Sequence, residues 1–289
     1  MTARALPDRR TPAERGRIGG LVRKVLRTPA YLAMAIIVLV ALVGPFLVRD
    51  PLGFHGGTLT APSAEFWFGT DQFGRDIFAR VVHAARLDLW VGLIAAALAV
   101  VVGMPLGALG AYRGGAFDAL LLRVSESFQA FPTLLLALGI VAALGPSIPI
   151  LIMVIAMVNI PVYLRLTRSA VKPLVDSDFV LAARCAGKSQ AAILRRHILP
   201  NVSEIVFAQF SVNVAWAIQI LAALSFVGLG VKLPTAEWGA MVRDGIDYMY
   251  YGQWWISLFP GLAILATVLT LNYLSDEIRH GERDSIGNR

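Results

Sequence analysis

Residues 181–200 read LAARCAGKSQAAILRRHILP and enclose the tripeptide Gly187-Lys188-Ser189. A GKS tripeptide closes the phosphate-binding loop of nucleotide hydrolases, so its reading separates an α/β nucleotide-binding domain from other folds. That loop requires a glycine five residues before the GKS glycine, and here the position is Ala182. Phe179 to Arg184 are strong helix formers without a glycine, and such a run does not make the tight loop whose amides cradle phosphate. The segment reads instead as helix–turn–helix. Asp176, Ser177 and Asp178 are N-cap candidates for a helix over Phe179 to Ala186. Gly187 stops it, as the residue type that ends helices at low steric cost. Ser189 caps a second helix, Gln190 to His197, which Pro200 ends. The first helix is short and would be marginal alone, so it is expected to dock. The alternative is a loop that merely joins two longer segments. The length and ordered grammar of the stretch count against it.

What flanks this stretch is apolar. Of 289 residues, 57% are hydrophobic and 16% charged, against roughly 25% charged in soluble domains, which indicates a chain solvated largely by lipid. A spanning helix needs about 20 mostly apolar residues. Six segments qualify: Tyr31–Val48, Leu89–Tyr112, Ala119–Leu144, Ile148–Leu166, Ile205–Leu229 and Trp255–Leu274. The first is too long for a signal-peptide core and no small-x-small site follows it, so it reads as a retained helix. The fold class expected is therefore an all-α polytopic membrane protein with six transmembrane helices. Its divisions are a basic arm over 1–29, a first helix and outer loop over 30–88, and a helical core over 89–275. The core contains the loop 167–202, and a tail follows over 276–289. Counting Lys and Arg outside the spans, 19 lie on the side of the termini and of the 167–202 loop, and six on the other. The positive-inside bias puts both termini in the cytoplasm. It also accounts for the net charge of +7 without nucleic acid.

Inside the spans, Ala99, Gly103, Gly107 and Ala111 repeat every four residues, a small-residue face that lets helix backbones approach. Pro105 is expected to kink that helix. Arg123 and Glu126 stand three apart, the spacing of a local ion pair. Asn159, Gln209, Asn213 and Gln219 are polar groups of the kind that face protein or a water-filled path. They are either interhelical hydrogen-bonding groups or candidate lining of a translocation path. The single cysteine, Cys185, excludes an internal disulfide. Of the four histidines, only His55 and His83 share a loop and without ligand spacing, so no metal site is expected. In the same loop, Gly69-Thr70-Asp71-Gln72-Phe73-Gly74-Arg75-Asp76 reads as a structured turn on the outer surface. Arg75 is placed to pair with Asp76, and Asp71 to cap a following helix.

These segments resemble the permease subunits of ATP-binding-cassette importers. The cytoplasmic loop of that family carries E-A-A-x-x-x-G, nine residues, then I-x-L-P. Ala182, Ala183, Gly187, Leu199 and Pro200 match in register, while Leu181 stands for the glutamate and His197 for the isoleucine. Three further stretches resemble the dipeptide and oligopeptide branch. They are Gly69 to Asp76, Ala130-Phe131-Pro132-Thr133-Leu134-Leu135-Leu136-Ala137, and Leu224 to Val231 followed by Pro234 to Gly239. The long basic arm and six spans look most like the second, C-type permease. The resemblance implies a type I ABC importer permease fold in a bacterial inner membrane. It makes 182–187 the coupling helix that enters a groove on a separate ATPase, with Ala182, Ala183 and Gly187 docking and Arg184 and Lys188 as polar contacts. It implies a second homologous permease, two ATPase subunits that bind ATP and Mg, and a solute-binding protein; no cofactor belongs to this chain. Asp71, Arg75 and Asp76 would contact the binding protein or stabilise the outer loop. Short peptides are the expected cargo, with nickel or glutathione as alternatives.

Two other classes make different demands. An ion-coupled carrier or channel needs ionisable groups near mid-bilayer and often inverted repeats; no repeat is found, and Arg123 and Glu126 lie near a span end. A membrane hydrolase needs a nucleophile and base within reach or a metal, and no histidine lies mid-span.

Overall fold

The structure, a computed structural model, describes residues 29–286. The basic arm expected over 1–29 lies, apart from Pro29, outside the described residues. The described chain is helical, with one isolated β-bridge between Thr70 and Asp76. Helix α1 is Pro29–Leu47, α2 Ile77–Arg113, α3 Gly115–Ala130, α4 Thr133–Leu144 and α5 Ile148–Val171. After a 3₁₀ turn, Lys172–Leu174, come α6, Asp178–Cys185, and α7, Gln190–Ile193. A wide π turn, Leu194–Ile198, leads into α8, Leu199–Val227, followed by α9, Trp238–Met249, and α10, Trp255–Ile286.

Helix α2 is the mast of the bundle, packed along α5 and α8, with α1 and α10 against its flank and α9 across the end of α8 and α10. Its small residues make this possible. A Cβ on Gly103 would stand 2.8 Å from the Ile160 carbonyl oxygen, and one on Gly107 would overlap the Leu164 carbonyl oxygen. Ala99, Gly103, Gly107 and Ala111 are all buried, so the four-residue stripe is the seat of α5. One apolar cluster joins α2, α4, α5 and α8 through Val91, Val141, Ile155 and Leu221. A second gathers Ile77, Ala85, Ile218, Trp238 and Trp255 at the end bearing the 48–76 loop. A third lies at the opposite end, beneath α6.

Five helices are long and apolar enough to cross a membrane: α1, α2, the α5 stretch, the α8 stretch and the α10 stretch. The expected third span, Ala119–Leu144, is not one helix. It breaks at Phe131–Pro132 into α3 and α4, which meet at 86°. Pro132 has no N–H to continue the ladder and forces Phe131 into extended backbone (φ −87°, ψ 141°). Counted together, this bent pair makes up the sixth span. Helix α2 also begins at Ile77, well before Leu89, because Asp76 caps it by accepting from the Phe78 and Ala79 amides. Pro200 does not end a helix. It stands in the first turn of α8, where its missing N–H is no loss, so the chain runs from the 167–202 loop into the span through the π turn.

Candidate functional site

Helix α6 is amphipathic, and its two faces have separate uses. Val180 and Ala183 point inward and pack with Ala108, Ala111, Val171, Ile193 and Ile198. Phe179, Leu181, Ala182 and Cys185 are exposed on the other side. Ser177 stands at the N-cap position, but its hydroxyl donates to the Leu174 carbonyl, and Asp178 supplies the first-turn acid. Gly187 terminates the helix as the spacing predicts. It adopts φ +72°, donates to the Arg184 carbonyl, and positions Lys188 to donate to that of Ala183. Ser189 accepts from the Ala192 amide and caps α7 as expected.

Of the residues assigned to docking, Ala182 and Gly187 are exposed, whereas Ala183 is buried against the chain's own bundle. Two basic residues assigned to outside contacts already have partners inside the chain. Arg184 donates Nε to the Tyr112 hydroxyl at 3.2 Å with its guanidinium 5.0 Å above that ring, and Lys188 Nζ lies 3.0 Å from His197 Nε2. Arg184 thereby ties α6 to the end of α2. Leu199 is half-buried beside this cluster and Pro200 exposed. A second tie was not anticipated. Arg168, at the end of α5, makes a bidentate pair with Asp118 of α3 at 2.6 and 2.7 Å. The residues lie 50 apart in sequence, and no local pattern announces their meeting. Arg123 and Glu126 are not among the ion pairs of the described residues; Arg123 instead offers its carbonyl to Ser127.

At the opposite end, Asp71 does not cap a helix. It accepts from the Phe73 and Arg75 amides and pairs with Arg75 Nε at 2.6 Å, with Arg80 Nε 3.7 Å away. The cap of α2 is Asp76, so the expected Arg75–Asp76 pair does not form. The polar groups of the turn are buried: Thr70, Asp71, Arg75 and Asp76 are all at most 7% exposed, while Phe73 at its tip is exposed. Arg80, 2% exposed, reaches the carbonyls of Pro51 and Pro234, and the Trp255 indole donates to the Thr70 carbonyl. This geometry makes the segment a clamp joining the loop to α2 and α10. Close by lies a pair of buried carboxylates that went unnoticed in the sequence. Glu237 caps α9 through the Gly239 and Ala240 amides, and Asp88 accepts from the Trp238 amide. The 150 residues between Asp88 and Trp238 hide the pair from any sequence pattern.

The four candidate path residues divide. Asn159 and Asn213 are buried within the bundle; the Asn159 side-chain amide nitrogen lacks a hydrogen-bond partner among the described residues, and the Asn213 side chain faces the Tyr163 hydroxyl. Gln209 is half-buried, with its Nε2 3.5 Å from Asn213 Oδ1, and Gln219 is exposed.

A family model described as the binding-protein-dependent transport system inner membrane component matches residues 99–279. The dipeptide transport system permease protein DppC of Alkalihalophilus pseudofirmus is 41% identical over 244 residues, covering 84% of this chain and 80% of its own. The probable D,D-dipeptide transport system permease protein DdpC of Escherichia coli K12 is 37% identical over 276 residues, covering 93% and 92%. Among solved structures, the MetNI methionine ABC transporter in an inward-facing conformation aligns with a TM-score of 0.56 at 17% identity. The match covers 71% of this chain and 97% of that one. At that identity the likeness is one of fold.

Proposed function

The chain belongs to the family of binding-protein-dependent transport system inner membrane components, and we propose that it is the permease subunit of an ATP-driven importer of dipeptides or short oligopeptides. The cargo assignment rests on the relatives that align along most of the chain, whose names specify dipeptides. The coupling assignment rests on one observation: α6 presents an exposed apolar face while its opposite face is anchored in the bundle. Leu181, at the position where the family pattern carries glutamate, is 44% exposed, so the docking face here is hydrophobic. We assign docking to Phe179, Leu181, Ala182 and Gly187, with Leu199 and Pro200 shaping the exit from the loop.

In this reading ATP and Mg are held by two separate ATPase subunits. Their closure moves α6, and the motion reaches the spans through rigid attachments. Val180 and Ala183 press on the ends of α2 and α8, Arg184 holds Tyr112 of α2, and the Arg168–Asp118 pair locks α5 to α3. The bundle and a homologous permease then exchange between two global states biased by nucleotide. Exposed Gln219 is assigned to the path between the permeases, whereas Asn159 and Asn213 serve the α5–α8 interior. A solute-binding protein delivers cargo at the end bearing the buried Asp71–Arg75–Asp76 clamp. Both termini and α6 face the cytoplasm.

The test is mild-detergent purification of the tagged chain from its own membrane. A second six-span permease, ATPase subunits and a binding protein are expected to accompany it. That binding protein, titrated with dipeptides, tripeptides, glutathione and nickel, is expected to prefer the dipeptides; preference for nickel or glutathione would replace the cargo assignment. Recovery of the chain alone would overturn the coupling assignment.

A further inference from the structure

At the end bearing the 48–76 loop, a cleft of about 430 Å³ opens between α2 and α5. Leu87, Trp90 and Ile94 of α2 and Ile148 and Ile152 of α5 make its walls, and Arg86 and His83 belong to the same lining. Arg86, Trp90 and Ile94 recur every four residues and therefore follow one face of α2 from its loop end inward. Going inward along that face, a cation comes first, then a half-exposed indole, then aliphatic wall. This is the order of chemistry across a membrane interface, where arginine and tryptophan meet headgroups and aliphatic side chains meet acyl chains.

Arg86 has no counter-charge among the described residues. The ion pairs of the described residues engage Arg75, Arg80 and Arg168. Arg86 is exposed, and among the described residues no carboxylate lies within ion-pair distance of it. His83, one turn away, is engaged elsewhere: its ring hydrogen-bonds the Arg49 backbone and lies beside the Asp50 carboxylate. A bare guanidinium at the mouth of an apolar cleft matches a phosphate with an attached hydrocarbon chain. The guanidinium fork suits the phosphate oxygens of an anionic headgroup, and the apolar walls suit the chain attached to it.

We propose that this cleft is a binding site for one anionic phospholipid, with its phosphate on Arg86 and an acyl chain lying along Trp90, Ile94 and Ile152. The inference requires only that the chain spans a membrane and does not depend on the cargo or on the direction of transport. The lipid would fill a groove that the bundle leaves open and would neutralise Arg86.

The test uses the intact transporter complex. After partial delipidation, native mass spectrometry should show a retained phosphatidylglycerol adduct on the wild type, displaced poorly by added phosphatidylcholine. Arg86→Gln should weaken phosphatidylglycerol retention roughly tenfold, as for loss of one charge-assisted contact, while Arg86→Lys keeps part of it. Because Arg86 bonds to nothing in the fold, these variants should assemble normally. A photo-reactive phenylalanine analogue at position 90 should label lipid in the membrane. Equal phosphatidylglycerol retention by the wild type and Arg86→Gln would overturn the proposal. So would crosslinks from position 90 to a second protein subunit, which would make the cleft an interface between subunits.

Discussion

Gly187 holds φ +72° with nothing within 4 Å of where a Cβ would stand. Substitution there meets backbone strain of about 1 kcal/mol but no clash, so its effect on transport is separable from folding. Asn and Asp tolerate this conformation about equally. Gly187→Asn should therefore leave uptake near wild type, while Gly187→Asp places an unpaired charge against the proposed apolar docking face, where desolvating it costs several kcal/mol. Uptake by Gly187→Asp is expected to fall at least tenfold at unchanged membrane abundance, with ATP hydrolysis no longer stimulated by the loaded binding protein. Indistinguishable uptake by the two variants would remove Gly187 from the docking surface. The Asp118–Arg168 pair makes the opposite kind of prediction, because it acts through structure. Its two bonds are short and its side chains only 13% and 20% exposed. Asp118→Asn should lower stability by about 1–3 kcal/mol, read as a fall in melting temperature in detergent. Arg168→Lys should not preserve it, since an ammonium cannot make the two-pronged contact.

At the level of elements, the α2–α5 crossing depends on backbone contact that no side chain can enter. Gly107→Val would drive a branched side chain into the Leu164 carbonyl and the Arg168 amide of α5, and the protein is expected to be lost from the membrane. Ala99→Ser, on the same stripe, should be tolerated; equal tolerance of both, measured by immunoblot, would refute the crossing. The stripe was legible in the sequence because it is local and periodic. The bend at Phe131–Pro132 was half legible. Pro132 was visible, but the apolar run continues through it, and hydropathy alone reads a straight span. Asp88 and Glu237 were illegible, since only the folded chain brings α9 onto α2. Burial holds the Glu237 carboxyl above its ordinary range, while the Ser225 hydroxyl and the Gly239 and Ala240 amides draw it down. A carboxyl raised by folding favours the folded state below its unfolded pKa and loses that contribution as pH rises through the folded value. Glu237→Gln cannot ionise but forfeits one of the two amide bonds, about 1 kcal/mol. The variant should therefore melt below the wild type at pH 5, and the gap should narrow towards pH 8. A gap independent of pH would show that Glu237 does not titrate with folding.

For the whole molecule, the chain is a mast, α2, with attachments at both ends. At one end the Asp71 clamp fastens the loop and α10, and at the other α6 is fixed by Val180, Ala183 and Arg184. Motion imposed on α6 thus has few joints in which to dissipate before it reaches the spans. The motif in 181–200 and the charge asymmetry pointed to this arrangement from sequence. They could not show which side of α6 faces outward, because with only eight residues in α6 the alanines at 182 and 183 look equivalent until the bundle buries one of them. The lone cysteine now reports on both orientation and docking. Cys185 is exposed on the outward side of α6 with Ala182, and no second cysteine competes with it for label. In intact spheroplasts a membrane-impermeant maleimide should leave the chain unmodified. In inverted vesicles stripped of peripheral subunits it should label Cys185 to near completion. Restoring the ATPase subunits should slow labelling at least tenfold, because a thiol in a filled groove is closed to the reagent. Labelling in spheroplasts would reverse the orientation. Unchanged labelling with the ATPases bound would leave the orientation standing but exclude this face of α6 as their seat.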